Sequence, residues 1–177
     1  SNNTLNIAII GKYVSLHDAY KSISESLIHA GANLNSKVDI KWILSEDLDN
    51  KNLKKNLKNI DGVIVAPGFG NRGVEGKISA IKYVRENNIP FFGICLGMQC
   101  ACIEFSRNVL KNKNAHSTEF DKNTPYPVID LMEGQKNIKN KGGTMRLGSY
   151  NCSLEKGSLV HKTYKSNEIK ERHRHRY

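Results

Sequence analysis

The stretch that decides the fold is Phe91-Phe92-Gly93-Ile94-Cys95-Leu96-Gly97-Met98-Gln99. An apolar run, Pro90 to Cys95, ends on a cysteine, and a helical pattern begins at once. Met98, Ala101, Cys102, Phe105 and Val109 recur at i, i+3, i+4, i+7 and i+11, the spacing of one helix face, so Cys102 is expected in the core. A buried strand therefore passes into a helix with no linker. Gly93 and Gly97 flank Cys95 at i−2 and i+2, the G-x-C-x-G form of the nucleophile elbow. Such a turn is tight, and small residues must stand where side chains would collide. It presents the sulfur at the top of the sheet and at the positive end of a helix, so a depressed thiol pKa is expected. Cys95 is the candidate nucleophile; the alternative is a small buried hydrophobe at a strand end.

Upstream, the same alternation repeats. Leu5 to Ile10 is a short apolar run ending at Gly11, a buried strand. Tyr20, Ile23, Leu27 and Ala30 predict a helix over 17–30, ended by Gly31. Val38 to Leu44 reads as a second strand, and 50–59 as a polar helix with a thin stripe of Leu53, Leu57 and Ile60. Gly62 to Ala66 is a third strand, followed by the glycine-rich loop Pro67-Gly68-Phe69-Gly70-Asn71-Arg72-Gly73 and a helix marked by Ile78, Ile81 and Val84. This β-α-β-α-β-α-β-α order predicts an α/β fold with a mainly parallel central sheet and helices on both faces. A site is then expected at the strand C-termini. Past Lys111 the pattern loosens: Val128 to Met132 and Thr144 to Leu154 read as strands, with a polar connection over 133–143.

The 177 residues, 38% hydrophobic and 25% charged, suit one soluble α/β domain and exclude a disordered chain. No apolar run approaches the ~20 residues of a membrane span. The opening Ser1-Asn2-Asn3 reads as a cut point, so the chain is expected to be a piece of something longer. Cys95, Cys100, Cys102 and Cys152 form no C-x-x-C pair, which argues against a zinc knuckle, and no metal site is expected. Cys100 and Cys152 read as structural. Reduced thiols and the lack of a signal segment point to a cytoplasmic location. The net charge of +10 raises nucleic acid as a partner. The lysines, however, are scattered without interleaved aromatics, so a solvated basic surface is favoured, with no nucleic acid and no membrane.

An acyl-transfer nucleophile needs an oxyanion hole. The backbone N–H of Leu96 is the usual first donor at such an elbow, and the loop Gly68-Phe69-Gly70 can supply the second. The loop does not read G-x-x-x-x-G-K-[ST], so it is a poor phosphate cradle.

Ile94 to Gln99 (I-C-L-G-M-Q) resembles the nucleophile motif of class I glutamine amidotransferases, a flavodoxin-like architecture. Gly11 to Tyr13 (G-K-Y), Asp18 to Ser22 (D-A-Y-K-S), Pro67 to Gly76 (P-G-F-G-N-R-G-V-E-G), Ser117 to Phe120 (S-T-E-F), Gly142 to Gly148 (G-G-T-M-R-L-G) and Glu171 to Tyr177 (E-R-H-R-H-R-Y) resemble, in order, the C-terminal glutaminase domain of the CTP synthase family. The resemblance covers nearly all of residues 1–177, read as one amidotransferase domain lacking its C-terminal end and the N-terminal synthase domain. It implies hydrolysis of glutamine through a cysteinyl thioester, with ammonia passed to a synthase domain that aminates ATP-activated UTP to CTP. It implies Cys95 as nucleophile and the N–H groups of Gly68 and Leu96 as oxyanion hole. Gly68, Leu96, Gly97, Met98, Gln99, Glu119 and Arg176 match positions that bind glutamine; a carboxylate suits the α-ammonium and a guanidinium the charged end of the substrate. No cofactor is implied in this domain; the full enzyme is expected to use ATP and Mg2+, with GTP as activator and Arg72 to Gly76 in the segment linked to it. A homotetramer is implied for the full-length enzyme.

The chain departs from the family in three places. The loop reads Ala66-Pro67-Gly68-Phe69-Gly70 where the family has P-G-G-F-G, and His116 stands where it has asparagine. The family's catalytic histidine and glutamate lie in an H-P-E motif, which residues 1–177 do not contain; His17, His29, His116 and His161 lack the matching context. The chain alone is therefore expected to be inactive. The competing readings are another class I amidotransferase domain, a cysteine hydrolase of a related elbow fold, and a non-catalytic basic nucleic-acid-binding module.

Overall fold

The computed structural model describes residues 3–136 and 145–177. Two compact units divide the chain, 1–130 and 131–177.

The first unit is built on four parallel strands: β1 (Asn3–Gly11), β2 (Ser36–Leu44), β3 (Gly62–Val65) and β4 (Phe91–Gly93), in the order β2-β1-β3-β4. Parallel neighbours cannot be joined by a hairpin, so each connection carries a helix: α1 (Lys21–Asn33), the short α2 (Leu53–Asn56) and α3 (Val74–Glu86). The helix α4 (Leu96–Asn108) follows β4.

Alternation along the strands divides the core in two. Ala8 and Ile10 of β1 and Val63 and Val65 of β3 point to one face, where Leu53, Leu57, Ile78, Ile81, Leu96 and Ile103 pack on them. Ile9 and Ile64 point to the other, against Tyr20, Ile23 and Leu27. Helices thus cover both faces, and β1 and β3, flanked by a strand on each side, read as unbroken apolar runs for that reason. The expected α/β fold is the observed one.

Details differ from the sequence reading. The helix expected over 17–30 opens as a 3-10 turn at His17–Tyr20, runs through Gly31 and turns out at Asn35 (φ 50°). The polar helix over 50–59 shrinks to one turn, yet Leu53 and Leu57 are buried as expected. The face of α4 is the clearest correction. Met98, Phe105 and Val109 are 46%, 48% and 39% exposed, and Cys102 is exposed, not core. The helix instead turns Leu96, Cys100 and Ile103 to the sheet. Polar residues on that inner face conceal the stripe from a hydrophobicity count: Glu104 is buried because the Arg85 guanidinium of α3 grips it, at 2.8 Å from Nη2 and 3.0 Å from Nε.

Beyond α4, β5 (Ala115–Ser117) and β6 (Tyr126–Ile129) form a parallel pair, in place of the strand expected over 128–132. The second unit holds α5 (Glu133–Lys136), α6 (Leu159–Tyr164), and β7 (Arg146–Ser153) paired antiparallel with β8 (Glu168–His175). The strand expected over 144–154 is thus β7; Gly142, Gly143 and Thr144 of the quoted motif, and 137–141 of the polar connection, lie outside the described residues. No helix among the described residues is long and apolar enough to cross a membrane.

Candidate active site

Cys95 joins β4 to α4 in a strained conformation, φ 55° and ψ −110°, which a non-glycine residue holds at about 1–3 kcal/mol. Its neighbours explain why the elbow needs two glycines. A Cβ on Gly97 would lie 2.0 Å from the Val65 carbonyl oxygen, and one on Gly93 would lie 2.7 Å from the Met98 nitrogen. The N-terminus of α4 therefore sits directly on the backbone of β3. Ile94 N–H donates to the Val65 carbonyl at 3.0 Å, and Gly97 N–H to the Ile94 carbonyl at 2.9 Å, which close the turn.

The sulfur is half-buried and meets two backbone donors, the N–H groups of Leu96 and Gly68. Those are the two groups expected as an oxyanion hole, and the fold brings them to the same sulfur from the start of α4 and the loop after β3. The expected depressed pKa is not found. Burial pushes the Cys95 thiol up; the Leu96 N–H, the Lys77 ammonium and the Gly68 N–H oppose it, and the Glu119 carboxylate adds to it. Desolvation outweighs the two N–H groups and the ammonium, which shifts the balance toward the thiol.

Glu119 follows β5, and its Oε1 accepts the Gly70 N–H at 3.2 Å, which places it beside the glycine loop. Leu96, Gly97 and Gln99 are buried in the first turn of α4, while Met98 projects outward. A Cβ on Gly68 would meet Lys12 Cδ at 3.6 Å, Leu96 Cδ2 at 3.7 Å and Lys12 Cε at 3.8 Å, ordinary contacts. Within the protein, Gly68 is thus distinguished by its N–H more than by its missing side chain. Arg176 lies just after β8 in the second unit, its guanidinium carbon 5.9 Å from the Tyr177 ring centroid.

Two lysines escaped the sequence reading. Lys77 of α3 is fully buried, donates to the Ala66 carbonyl at 2.9 Å, and has its pKa pushed down to about 8 by burial. Lys12 follows β1, is 4% exposed, and donates to the carbonyls of Phe69 and Gly70. Burial lowers its pKa, and the Glu119 carboxylate pulls it back up. The only signal for either was a lysine placed against an apolar strand end or within an apolar helical stripe. Cys100 is buried, its thiol pushed up to about 12; Cys102 and Cys152 are exposed. Among the described residues, no group of three His, Cys, Asp or Glu side chains is placed to hold a metal ion.

The chain is similar to known proteins in both sequence and structure. The family described as glutamine amidotransferase class-I matches residues 15–177. CTP synthase of Cytophaga hutchinsonii is 64% identical over 173 residues, covering 98% of this chain and 32% of the relative. CTP synthase of Methanocaldococcus jannaschii is 58% identical over 181 residues, covering 99% and 34%. The chain spans about a third of the length of these relatives. The solved glutaminase domain of Trypanosoma brucei CTPS with bound acivicin superposes with a TM-score of 0.88 at 42% identity, over 98% of this chain and 67% of that one. The chain belongs to the class I glutamine amidotransferase family, in the branch of the CTP synthase glutaminase domains.

Proposed function

We propose that this domain hydrolyses glutamine to glutamate and ammonia on Cys95, and that the ammonia serves the ATP-dependent amination of UTP to CTP in a synthase domain of the same protein. The observation that carries the reading is the elbow itself: a strained cysteine at a strand–helix junction whose sulfur meets the N–H groups of Leu96 and Gly68. The thiolate attacks the side-chain amide carbon of glutamine. Negative charge collects on the amide oxygen, where two fixed donors stabilise it more than they do the ground state. The C–N bond breaks, ammonia leaves with an added proton, and a γ-glutamyl thioester remains. Water then displaces the sulfur and releases glutamate.

Because burial favours the thiol over the thiolate, a base takes its proton and returns it to the leaving ammonia. The reading assigns that role to the histidine of the family's H-P-E motif. Glu119 receives the α-ammonium of glutamine. Leu96 to Gln99 complete the substrate site within the first unit. ATP and Mg2+ act in the synthase domain, GTP activates through the segment of Arg72 to Gly76, and the whole protein works as a cytoplasmic homotetramer. The acivicin, a glutamine analogue, named with the Trypanosoma brucei domain supports a glutamine-shaped site.

The test is glutamate release from glutamine by the full-length protein, with Cys95→Ala as the blank, coupled to CTP formation from UTP and ATP. Loss of glutamine-dependent activity in Cys95→Ala, with retention of ammonia-dependent CTP formation, is the expected result. Glutamine-dependent activity that survives Cys95→Ala contradicts the reading.

A further inference from the structure

Lys12 is a buried cation whose partners are backbone carbonyls. Its ammonium donates to the oxygens of Phe69 and Gly70, consecutive residues of the loop after β3. Two carbonyl dipoles converging on one point repel each other unless a multiple donor stands between them, and an ammonium has three N–H groups. The lysine is itself held. Its backbone N–H donates to the Tyr20 hydroxyl at 3.1 Å, and the Tyr13 N–H to the same oxygen at 3.3 Å. Tyr20 is 3% exposed and stacks on Trp42, with ring centroids 6.2 Å apart. On the far side of the loop, Glu119 takes the Gly70 N–H. The loops after β1, β3 and β5 are thus tied together around Gly68, and the stem of Lys12 and the Leu96 side chain both face Gly68, 3.6–3.8 Å from where its Cβ would stand.

We propose that Lys12 is a positioning residue: by holding the Phe69 and Gly70 carbonyls it aims the Gly68 N–H at the Cys95 sulfur, so that the oxyanion meets two donors instead of one. The inference rests on the reading of Cys95 as a glutaminase nucleophile. Lys12 touches neither sulfur nor substrate in this role; it acts through the peptide units that follow Phe69 and Gly70, just downstream of Gly68 in the same loop. A neutral side chain of the same length leaves the carbonyls without a common donor, and the loop relaxes away from the sulfur.

The test compares Lys12→Met, Lys12→Arg and Cys95→Ala in the full-length protein. Two rates are read: glutamate release from glutamine, and alkylation of Cys95 by iodoacetamide, a displacement that forms no oxyanion. For Lys12→Met the expected result is a loss of about 100-fold in kcat, the usual effect of misplacing a donor by about an ångström. KM and the alkylation rate should stay within about threefold, since only the transition state gains from the hole. Lys12→Arg, which keeps the charge and several donors, should recover about tenfold or more of the loss. A kcat within about threefold of wild type in Lys12→Met overturns the proposal. So does an equal loss in alkylation, which would place the effect on the sulfur and not on the hole. If Lys12→Met does not fold, Lys12→Leu, which also carries no donor, is read by the same criteria. Glutamine hydrolysis that persists in Cys95→Ala sinks the glutaminase reading itself; an inactive Cys95→Ala beside a fully active Lys12→Met sinks only the role of Lys12.

Discussion

Gly97→Ala adds one methyl group at the point where α4 rests on β3. The new Cβ would stand 2.0 Å from the Val65 carbonyl oxygen, 2.8 Å from its carbonyl carbon and 3.1 Å from its Cβ. Ordinary contact begins near 3.4 Å, so the shortest approach is deficient by 1.4 Å. Nothing flexible stands in the way to rotate aside. The obstacle is the backbone of a central strand, paired with β1 on one side and β4 on the other. Its carbonyl already receives the Ile94 N–H. The helix must retreat instead, carrying the Leu96 N–H away from the sulfur. Overpacking of this kind costs about 1–3 kcal/mol, and a backbone obstacle points to the upper end. At about 2–4 °C per kcal/mol for a chain of this size, Tm should fall by roughly 6–12 °C. A displacement of about 1 Å at the hole should lower kcat about 100-fold. Gly68→Ala is the matched control, since its Cβ would meet nothing nearer than 3.6 Å. It should leave Tm unchanged and turnover within about fivefold. Thermal unfolding of residues 1–177 and glutamate release by the full-length protein provide the two readouts. If Gly97→Ala matched Gly68→Ala in both, the close seating of α4 on β3 would not be what positions the hole.

Further predictions follow from the same contacts. Gly68→Pro removes an N–H donor and should lower turnover by about 100- to 1000-fold, measured as kcat for glutamate release; unchanged turnover would mean that the second donor lies elsewhere. Lys77 has its pKa depressed to about 8 in the folded chain against 10.5 when unfolded. Between those values the unfolded state binds more protons, so stability should rise with pH from about 8 to 10.5, by up to about 3 kcal/mol. Urea unfolding at a series of pH values should show that rise in the wild type and not in Lys77→Met; a slope that persists in the variant would assign it to another group. Residues 1–177 alone contain no H-P-E motif and should release no glutamate above the Cys95→Ala blank. Turnover near that of the full-length protein would mean that a histidine within 1–177 serves as the base.

The elbow was legible because its geometry leaves few choices. A strand that meets a helix without a linker must have glycine where Gly93 and Gly97 stand, and both close approaches are present. The alternating strands and helices were legible from apolar runs bounded by glycines. The inner face of α4 was not. Gln99, Glu104 and Ser106 are buried there, and Glu104 is admitted only because Arg85, nineteen residues earlier, reaches across to it. No periodicity signals a pairing of that kind. Lys12 and Lys77 were missed for a related reason: lysine reads as surface unless a partner is known, and their partners are backbone carbonyls that only the folded chain brings near. The raised pKa of Cys95 shows the opposite error. The helix end was read from sequence, and the burial that outweighs it was not.

The most direct test of the account is which cysteine a glutamine-shaped electrophile modifies. Accessibility alone favours Cys102 and Cys152, which are exposed, over the half-buried Cys95 and the buried Cys100. Acivicin reacted with the full-length protein, followed by peptide mass spectrometry, should place a single adduct on Cys95, and excess glutamine should prevent it. Adducts spread over Cys102 and Cys152, or an adduct at Cys95 that glutamine does not suppress, would contradict the assignment of Cys95 as the nucleophile of a glutamine site.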